Sequence, residues 1–286
     1  MPKASYHLIH PSSRNTATIF ASPHSGRDYS WDFLRRTVLD EVTIRSSEDA
    51  YVDRLYDSAP DHGALFLKAG APRAFVDLNR GADELDPALI EGAPRRYNNP
   101  RIATGLGVIP RVVAHGRAIY HGKLDLLEAR ARIDIYWRPY HATLARLMKE
   151  NRDRFGRAIL IDCHSMPHEA VMQMVSTKQG RPDIVIGDRF GASADGELVD
   201  EVESIFANAG FNVSRNAPFA GAYMVRQYGR PSKNHHAIQI EIDRSIYLNE
   251  QTVQPNSNFG AVRTAMKEIV VKIAALGRDK RAMAAE

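Results

Sequence analysis

The sequence predicts an α/β fold, a three-layer sandwich with a mixed central sheet and helices on both faces. Two patterns support this prediction. Short apolar and β-branched runs, typical of strands, alternate along the chain with segments whose apolar residues recur at helical spacing. The central runs are apolar throughout, as in strands buried on both faces. With 286 residues, 44% of them hydrophobic, the chain can bury a full core, and we expect one domain over 1–286.

Strands are expected wherever four to nine apolar or β-branched residues are bounded by turn residues. These segments are 16–22, 64–69, 74–78, 158–163, 183–187, 211–215 and 237–243.

Helices are expected where apolar residues share one helical face. These segments are 52–59, about 125–150, 198–206 and 262–273. Pro139 should bend or interrupt the second of them, because proline cannot donate a backbone hydrogen bond. Gly210 should end the third. The tail at 278–286 is expected to be frayed and disordered.

Composition and charge argue against several classes of protein. The net charge of +4 is mild, and lysine and arginine are scattered, so we expect a small anionic substrate rather than nucleic acid. No apolar run reaches the length of a membrane span, so no membrane partner is expected. The first six residues contain no apolar segment typical of a secretory signal. The oligomeric state is left open.

The single cysteine, Cys163, excludes an internal disulfide and is consistent with the cytoplasm. It could act as a nucleophile beside His164. Adjacent residues on a strand point to opposite faces, however, so Cys163 is interpreted as a small core residue.

Two histidines each follow a buried strand, which makes them the leading functional candidates. His24 comes two residues after 16–22, and His164 comes just after the apolar part of 158–163. In an α/β sheet, the carboxyl ends of parallel strands meet in one crevice. Two imidazoles there, with carboxylates nearby, can bind zinc and leave one position open. Each histidine alone could equally be a hydrogen-bonded loop residue.

Carboxylates occur in two informative places. In 237–243, three isoleucines alternate with Gln239, Glu241 and Asp243, so one strand face is polar. If this face borders a site, Glu241 can act as a general base; on an edge strand it would be unremarkable. Glu48 and Asp49 precede the helix at 52–59. The pattern favours Asp49 as a helix cap, with metal ligation as the alternative.

Arginines and further histidines complete the candidates. Asn79 and Arg80 follow the segment 74–78, and Arg80 could bind a carboxylate in a bidentate manner or form a surface salt bridge. His141 could face the site or be a core residue, and we favour the core role. His235 and His236 are adjacent, so only one of them can point inward.

Eight motifs occur in order between about residues 15 and 250, and together they resemble the N-formylglutamate amidohydrolase family. They are SPHSG (22–26), ED followed by VDRLY (48–56), DLNR (77–80), YWRPYH (136–141), DCHSMP (162–167), GDRFG (187–191), PFAGAY (218–223) and HAIQIEIDRSIY (236–247). Each motif alone is weak, whereas the ordered set is specific. The family core resembles that of the zinc carboxypeptidases and the aspartoacylase-type deacylases.

The resemblance implies a zinc ion bound by His24, His164 and an acidic residue from the second motif. That acid is Asp49 or Glu48, and the spacing to the following valine matches Asp49 better. The resemblance also implies Glu241 as the general base.

The resemblance further implies that Asn79 and Arg80 bind a substrate carboxylate. Arg244 follows Glu241 by three residues and could bind a second carboxylate, and either Arg244 or its neighbour Tyr247 could instead pack against the strand end. Ala222 departs from a Gly-Gly-Tyr turn that is common in the family, which bears on the substrate loop.

The expected function is zinc-dependent hydrolysis of N-formyl-L-glutamate, or a close N-acyl acidic amino acid, to formate and the free amino acid. The family implies histidine degradation in the cytoplasm. Two alternatives remain: another N-acyl amino acid deacylase or metallocarboxypeptidase on the same core, and a non-catalytic metal-binding protein. A structural zinc site usually has four protein ligands, often cysteines, so the single cysteine counts against a structural zinc site.

Overall fold

The computed structural model describes residues 1–94, 99–172, 174 and 180–278. Its centre is a seven-stranded sheet. The strands are β1 (Tyr6–Ile9), β2 (Thr18–Ser22), β3 (Leu65–Ala69), β4 (Ala158–Met166), β5 (Ile184–Gly187), β6 (Val213–Arg215) and β7 (His235–Asp243). A small separate sheet pairs β8 (Leu248–Asn249) with β9 (Gln254–Pro255).

Helices and helical turns connect the strands. The α-helices are α1 (Trp31–Leu34), α2 (Val52–Leu55), α3 (Pro100–Ala103), α4 (Leu126–Arg132), α5 (Arg138–Phe155), α6 (His168–Met172), α7 (Gly196–Asn208), α8 (Tyr223–Tyr228) and α9 (Phe259–Leu276). Short 3₁₀ turns occur at Thr43–Arg45, Ala59–His62, Ala114–Gly116, Pro231–Lys233 and Arg244–Ile246. No helix within these described ranges is both long and apolar enough to cross a membrane.

The sheet is mixed, with the order β1-β3-β2-β4-β7-β5-β6. The strands β3, β2, β4 and β7 run parallel to one another, whereas β1 and β5 pair with their neighbours β3 and β7 in the antiparallel sense. Four parallel strands therefore have their carboxyl ends at the same edge of the sheet.

Hydrophobic cores cover both faces of the sheet, which confirms the predicted three-layer α/β sandwich. On one face, Leu160 packs in a core with residues of α5 such as Leu144. On the other face, Ile240 and Cys163 pack in a core with α7 and α9. Cys163 is buried with its thiol unpaired to any cysteine, and burial raises its pKa well above the usual value, as fits a core residue.

The long helical segment is interrupted where the sequence predicts it. A π-helical turn at Ile133–Trp137 separates α4 from α5, and Pro139 is the second residue of α5. Proline lacks an N–H and crowds the preceding turn, and the wider π turn accommodates both effects. The predicted helix at 52–59 is likewise divided, into α2 and the 3₁₀ turn at Ala59–His62.

The predicted strand at 74–78 is wrong, because this segment is a turn and not part of the sheet. Phe75 and Val76 are buried in the core, and the backbone amides of both donate to the carbonyl of Pro72. Their apolar pattern thus reflects burial without strand pairing. Conversely, β1 is absent from the predicted strands; it is a half-buried edge strand with a weak apolar signal.

Strand boundaries elsewhere differ by a few residues. The largest difference is that β4 extends to Met166, so His164 lies within the strand and not beyond its end. The predicted disordered tail lies outside the described residues apart from Arg278. That residues 1–286 form a single zinc-hydrolase-like domain stays a prediction.

The loop before α8 explains why alanine is accepted at position 222. Gly221 has a φ of 108°, which favours glycine, whereas Ala222 has a φ of −109° that alanine adopts freely. The Ala222 amide donates to Gln239 Oε1 at 3.0 Å, which ties the loop to β7.

We therefore expect Gly221→Ala to lower the free energy of unfolding by about 1–3 kcal/mol, because a side chain at this φ is strained. The new methyl group would also clash with Val225. Ala222→Gly is the matched control and should change stability by less than about 1 kcal/mol. Urea unfolding of both variants measures the difference, and equal stabilities would contradict the assigned backbone conformation.

Candidate active site

A cavity of about 640 Å³ opens at the carboxyl edge of the parallel strands. Its wall includes His24 just after β2, His164 in β4 and Glu241 in β7. In the parallel register, His164 pairs with Glu241, so these two side chains share one face of the sheet. The alternation predicted for 237–243 is confirmed, since the isoleucines face the opposite core.

Three buried side chains form a group that could bind a metal ion: His24, Asp49 and His164. Their nearest ligand atoms all lie within 4.8 Å of one another. Asp49 Oδ2 is 2.9 Å from His164 Nδ1 and 3.4 Å from His24 Nδ1. The Nδ1 atoms of both imidazoles therefore face the same carboxylate.

A second carboxylate lies behind each imidazole. His24 Nε2 is 2.7 Å from Asp77 Oδ1, and His164 Nε2 is 2.9 Å from Asp162 Oδ1. A proton on His24 Nε2, donated to Asp77, leaves the Nδ1 lone pair of His24 directed towards Asp49. His24 Nδ1 is buried and makes no hydrogen bond with the part of the chain that the structure describes. In metal-binding histidines, the ring nitrogen that does not bind the metal commonly donates to a carboxylate. The group therefore fits a metal ion.

The electrostatics of the group favour a cation. Burial alone would raise the pKa of Asp49, but the hydrogen bond with His164 and the nearby His24 imidazole hold it well below the usual value. Burial alone would lower the pKa of His164, but Asp162 and Asp49 raise it well above the usual value. The raised pKa of His164 shows that the three buried carboxylates favour positive charge here, which a bound metal ion can also supply.

The structure distinguishes the two adjacent acids. Glu48 accepts hydrogen bonds from Arg45 Nε at 2.9 Å and from the Tyr29 hydroxyl at 3.1 Å, whereas Asp49 contacts both histidines. The interpretation of Asp49 as a helix cap is wrong. The residue before α2 is Tyr51, whose φ of 63° turns the chain, and no side chain caps this helix.

Glu241 lies beside the group formed by His24, Asp49 and His164 without belonging to it. Its Oε1 accepts a hydrogen bond from Gln239 Nε2 at 2.9 Å. Burial, opposed by the charge of His164, raises the pKa of Glu241 to about 7. A carboxyl group in a cavity with such a pKa is suited to accept and return a proton.

Asn79 and Arg80 follow the turn at 74–78 and line the same cavity. Asn79 Oδ1 accepts from the Met224 amide at 2.7 Å, and its Nδ2 lies 3.0 Å from His164 Nε2. Arg80 Nε donates to the carbonyl of Leu106 at 2.9 Å. The protein therefore holds the Asn79 amide in place. It also binds Arg80 through a second nitrogen, since Nη1 donates to the carbonyl of Asn79 at 2.9 Å.

Two residues of the helical segment support this turn from behind. Trp137 Nε1 donates to the carbonyl of Arg80, and His141 Nε2 donates to the carbonyl of Leu78, both at 2.8 Å. His141 is buried, as interpreted from the sequence, and burial lowers its pKa to about 4. A neutral imidazole thus holds the backbone next to Asn79.

Arg244 reaches the cavity wall, but its guanidinium is already bound by the protein. Nη2 donates to Asp49 Oδ1 at 2.9 Å, Nε to Ser165 Oγ at 3.2 Å and Nη1 to the carbonyl of Ser46 at 3.1 Å. Tyr247 is buried and donates to the carbonyl of Ala50 at 3.0 Å. These contacts favour Arg244 as a residue that orients Asp49.

Of the adjacent histidines on β7, His236 is the one that points inward. It is buried, and its Nδ1 accepts from the Asp195 amide at 3.3 Å. Neither His235 nor His236 is among the described residues that line the cavity.

Sequence reasoning missed Arg73, which also lines the cavity. Its Nε donates to Asp77 Oδ2 at 3.1 Å, and its Nη1 lies 3.8 Å from Asp49 Oδ1. Burial would lower the pKa of Arg73, but Asp77 and Asp49 raise it. The predicted strand at 74–78 places Arg73 at its amino end. Because site residues are expected at the carboxyl ends of strands, Arg73 was not recognised as a candidate.

The model of the family described as N-formylglutamate amidohydrolase matches residues 16–248. The chain belongs to this family.

The names of three similar proteins agree with this family. The N-formylglutamate deformylase of Pseudomonas aeruginosa is 31% identical over 275 residues, which cover 92% of this chain and 95% of that protein. The N-formylglutamate deformylase of Pseudomonas putida is 32% identical over 235 residues, covering 81% and 82%. The crystal structure of N-formylglutamate amidohydrolase from Ralstonia eutropha JMP134 is similar with a TM-score of 0.88 and 33% identity, covering 95% and 98%.

The family motifs meet at this cavity. SPHSG contributes His24, ED contributes Asp49, DCHSMP contributes His164 and the IQIE strand contributes Glu241. The buried histidine and the partly buried tryptophan of YWRPYH contact the DLNR turn from outside the cavity, so this motif supports the turn.

The separate roles of Asp49 and Glu48 can be tested by metal titration. We expect Asp49→Asn to weaken the binding of a divalent cation by about 100-fold or more, because it removes an anionic ligand. Glu48→Gln, the matched control, should leave that affinity unchanged. Competition with a chromogenic chelator measures both affinities. Loss of binding in Glu48→Gln with retention in Asp49→Asn would reverse the assignment.

Proposed function

We propose that the chain is a zinc-dependent amidohydrolase that cleaves N-formyl-L-glutamate to formate and L-glutamate. The observation that carries this proposal is the buried group of His24, Asp49 and His164, which faces Glu241 in an arginine-lined cavity. Two relatives are named for deformylation of N-formylglutamate, which supports the substrate. A cytoplasmic location, indicated by the single cysteine, is part of the same proposal.

His24, Asp49 and His164 would hold the zinc ion. Two imidazole nitrogens and one carboxylate oxygen are a donor set that zinc accepts, and three protein ligands leave a position for water or substrate. A bound zinc ion supplies Lewis acidity, which lowers the pKa of water and polarises the formyl carbonyl. Asp77 and Asp162 would keep the imidazoles oriented through their Nε2 atoms.

Glu241 would move the proton. It accepts a proton from the attacking water as the water oxygen bonds to the formyl carbon, and it donates that proton to the amide nitrogen as the carbon–nitrogen bond breaks. The pKa of about 7, caused by burial, suits both transfers near neutral pH. The products are formate and a free amino group.

Arg73 and Arg80 would stabilise negative charge at two places. Arg73 lies next to Asp49, where its guanidinium can approach the oxygen that becomes negative in the transition state. Arg80 would bind a carboxylate of the amino acid, with Asn79 fixing the turn that carries it. Arg244 would orient Asp49 rather than bind substrate, because its donors are already occupied.

One experiment tests the proposal as a whole: zinc content and formate release of the purified protein. We expect about one zinc ion per chain and formate release from N-formyl-L-glutamate. The variants His24→Ala and His164→Ala should lose both, because each removes a ligand. His235→Ala, outside the described cavity lining, is the matched control. Unchanged zinc in both ligand variants would show that the site is wrong.

A substrate panel separates the alternatives in the same assay. Preference for an N-acetyl amino acid or a peptide over N-formyl-L-glutamate would indicate a different deacylase or a carboxypeptidase. Stoichiometric zinc with turnover of none of the three would indicate a non-catalytic metal-binding protein.

Glu241→Gln tests the proton transfer separately. Glutamine keeps the shape but cannot accept the proton, so kcat should fall by about 10²–10⁴-fold. Zinc content should not change, since Glu241 lies outside the ligand group. Glu197→Gln, on α7, serves as the matched control. Near wild-type turnover in Glu241→Gln would exclude it as the general base.

A further inference from the structure

The outer wall of the cavity contains a fourth arginine, Arg101, that none of the family motifs includes. It lies in α3, where the Asn99 side chain accepts a hydrogen bond from the Arg101 amide at 3.0 Å. Arg101 is exposed and lines the cavity. Among the described residues, its guanidinium makes no ion pair.

The backbone ties Arg101 to Arg80. The Leu106 amide donates to the carbonyl of Arg101 at 2.8 Å, and the Leu106 carbonyl accepts from Arg80 Nε at 2.9 Å. Glu84 bridges the same segments, since its Oε1 accepts from the Gly81 amide at 2.9 Å and its Oε2 from Asn99 Nδ2 at 3.1 Å. Hydrogen bonds therefore connect the backbone segments that carry Arg80 and Arg101, and these bonds fix the two segments relative to each other.

The charges at this corner of the cavity are incompletely balanced. Burial lowers the pKa of Arg80, and the positive charges of Arg73 and Arg101 lower it further against the opposing effect of Asp77. Asp77 already contacts His24 and Arg73. An anion bound between Arg80 and Arg101 would relieve the repulsion between like charges.

We propose that Arg101 binds the side-chain carboxylate of the substrate, while Arg80 binds the α-carboxylate. The cavity of about 640 Å³ has room for an amino acid side chain that extends from Arg80 towards the exposed Arg101. Arg101 thereby determines the preference for an acidic amino acid, a role that Arg244 cannot fill because Asp49 occupies its guanidinium. This inference rests on the proposed function.

The test compares Arg101→Ala with the unmodified enzyme on N-formyl-L-glutamate and on N-formyl-L-glutamine, in which a neutral carboxamide of the same size replaces the side-chain carboxylate. We expect kcat/KM for N-formyl-L-glutamate to fall by about 10- to 100-fold, mainly through KM, because a charge-assisted contact is lost. The value for N-formyl-L-glutamine should change by less than about threefold. Arg101→Lys should recover part of the loss.

Arg35→Ala is the matched control, because it removes an equally exposed arginine outside the described cavity lining. It should leave both substrates unaffected. An equal loss for both substrates in Arg101→Ala would overturn the inference, because it would indicate a structural role. No loss for either substrate would overturn it as well.

A binding measurement separates this inference from the proposed function. In calorimetry on the zinc-loaded protein, glutarate should bind the unmodified enzyme more tightly than butyrate, and Arg101→Ala should remove the difference. If the protein releases no formate but shows this Arg101-dependent preference for glutarate, the proposed reaction is rejected and Arg101 is retained as a carboxylate-binding residue. Formate release with an Arg101-independent preference for glutarate would reject the inference alone.

Discussion

The parallel pairing of β4 with both β2 and β7 is the constraint on which the site depends. Ala21 pairs with Asp162 and His164 pairs with Glu241, so the imidazole, its supporting carboxylate and the partly buried Glu241 are placed by strand register. Side chains alternate between faces, so a slip of one residue in β7 would turn Glu241 into the apolar core. The isoleucines between the polar residues oppose that slip, since it would place them in the cavity.

Strand register alone would place several buried carboxylates close together, which destabilises the folded protein. Asp49, Asp77 and Asp162 surround two imidazoles, and unpaired buried carboxylates are strongly unfavourable. Arg73 and Arg244 approach from two sides and contact Asp49, so the protein balances part of this charge itself. Both Nδ1 atoms face Asp49 at the centre of this charge, and a metal ion bound there would stabilise the folded protein.

The sequence was sufficient for the elements with a clear period, but not for features decided by tertiary contacts. The segment 74–78 has the apolar pattern of a strand because it is buried, yet no neighbouring strand pairs with it, and the error concealed Arg73. Glu48 and Asp49 are adjacent acids before the same helix, so local pattern could not separate them. Arg45 distinguishes the two acids, because it forms hydrogen bonds with Glu48. Arg45 is close in sequence, but only the structure shows these bonds.

The same distinction applies to the cavity arginines. Proximity in sequence to Glu241 favoured Arg244 as a substrate ligand, but a guanidinium has a limited number of donors, and those of Arg244 are used on Asp49, Ser165 and the backbone. Recognition of a second carboxylate requires a guanidinium with donors that the protein leaves available. The exposed Arg101, in the short helix α3 and outside the motifs, is our candidate for that guanidinium. Strand ends thus hold the chemistry in register, while a loop anchored to them can vary the substrate without disturbing the metal-binding group.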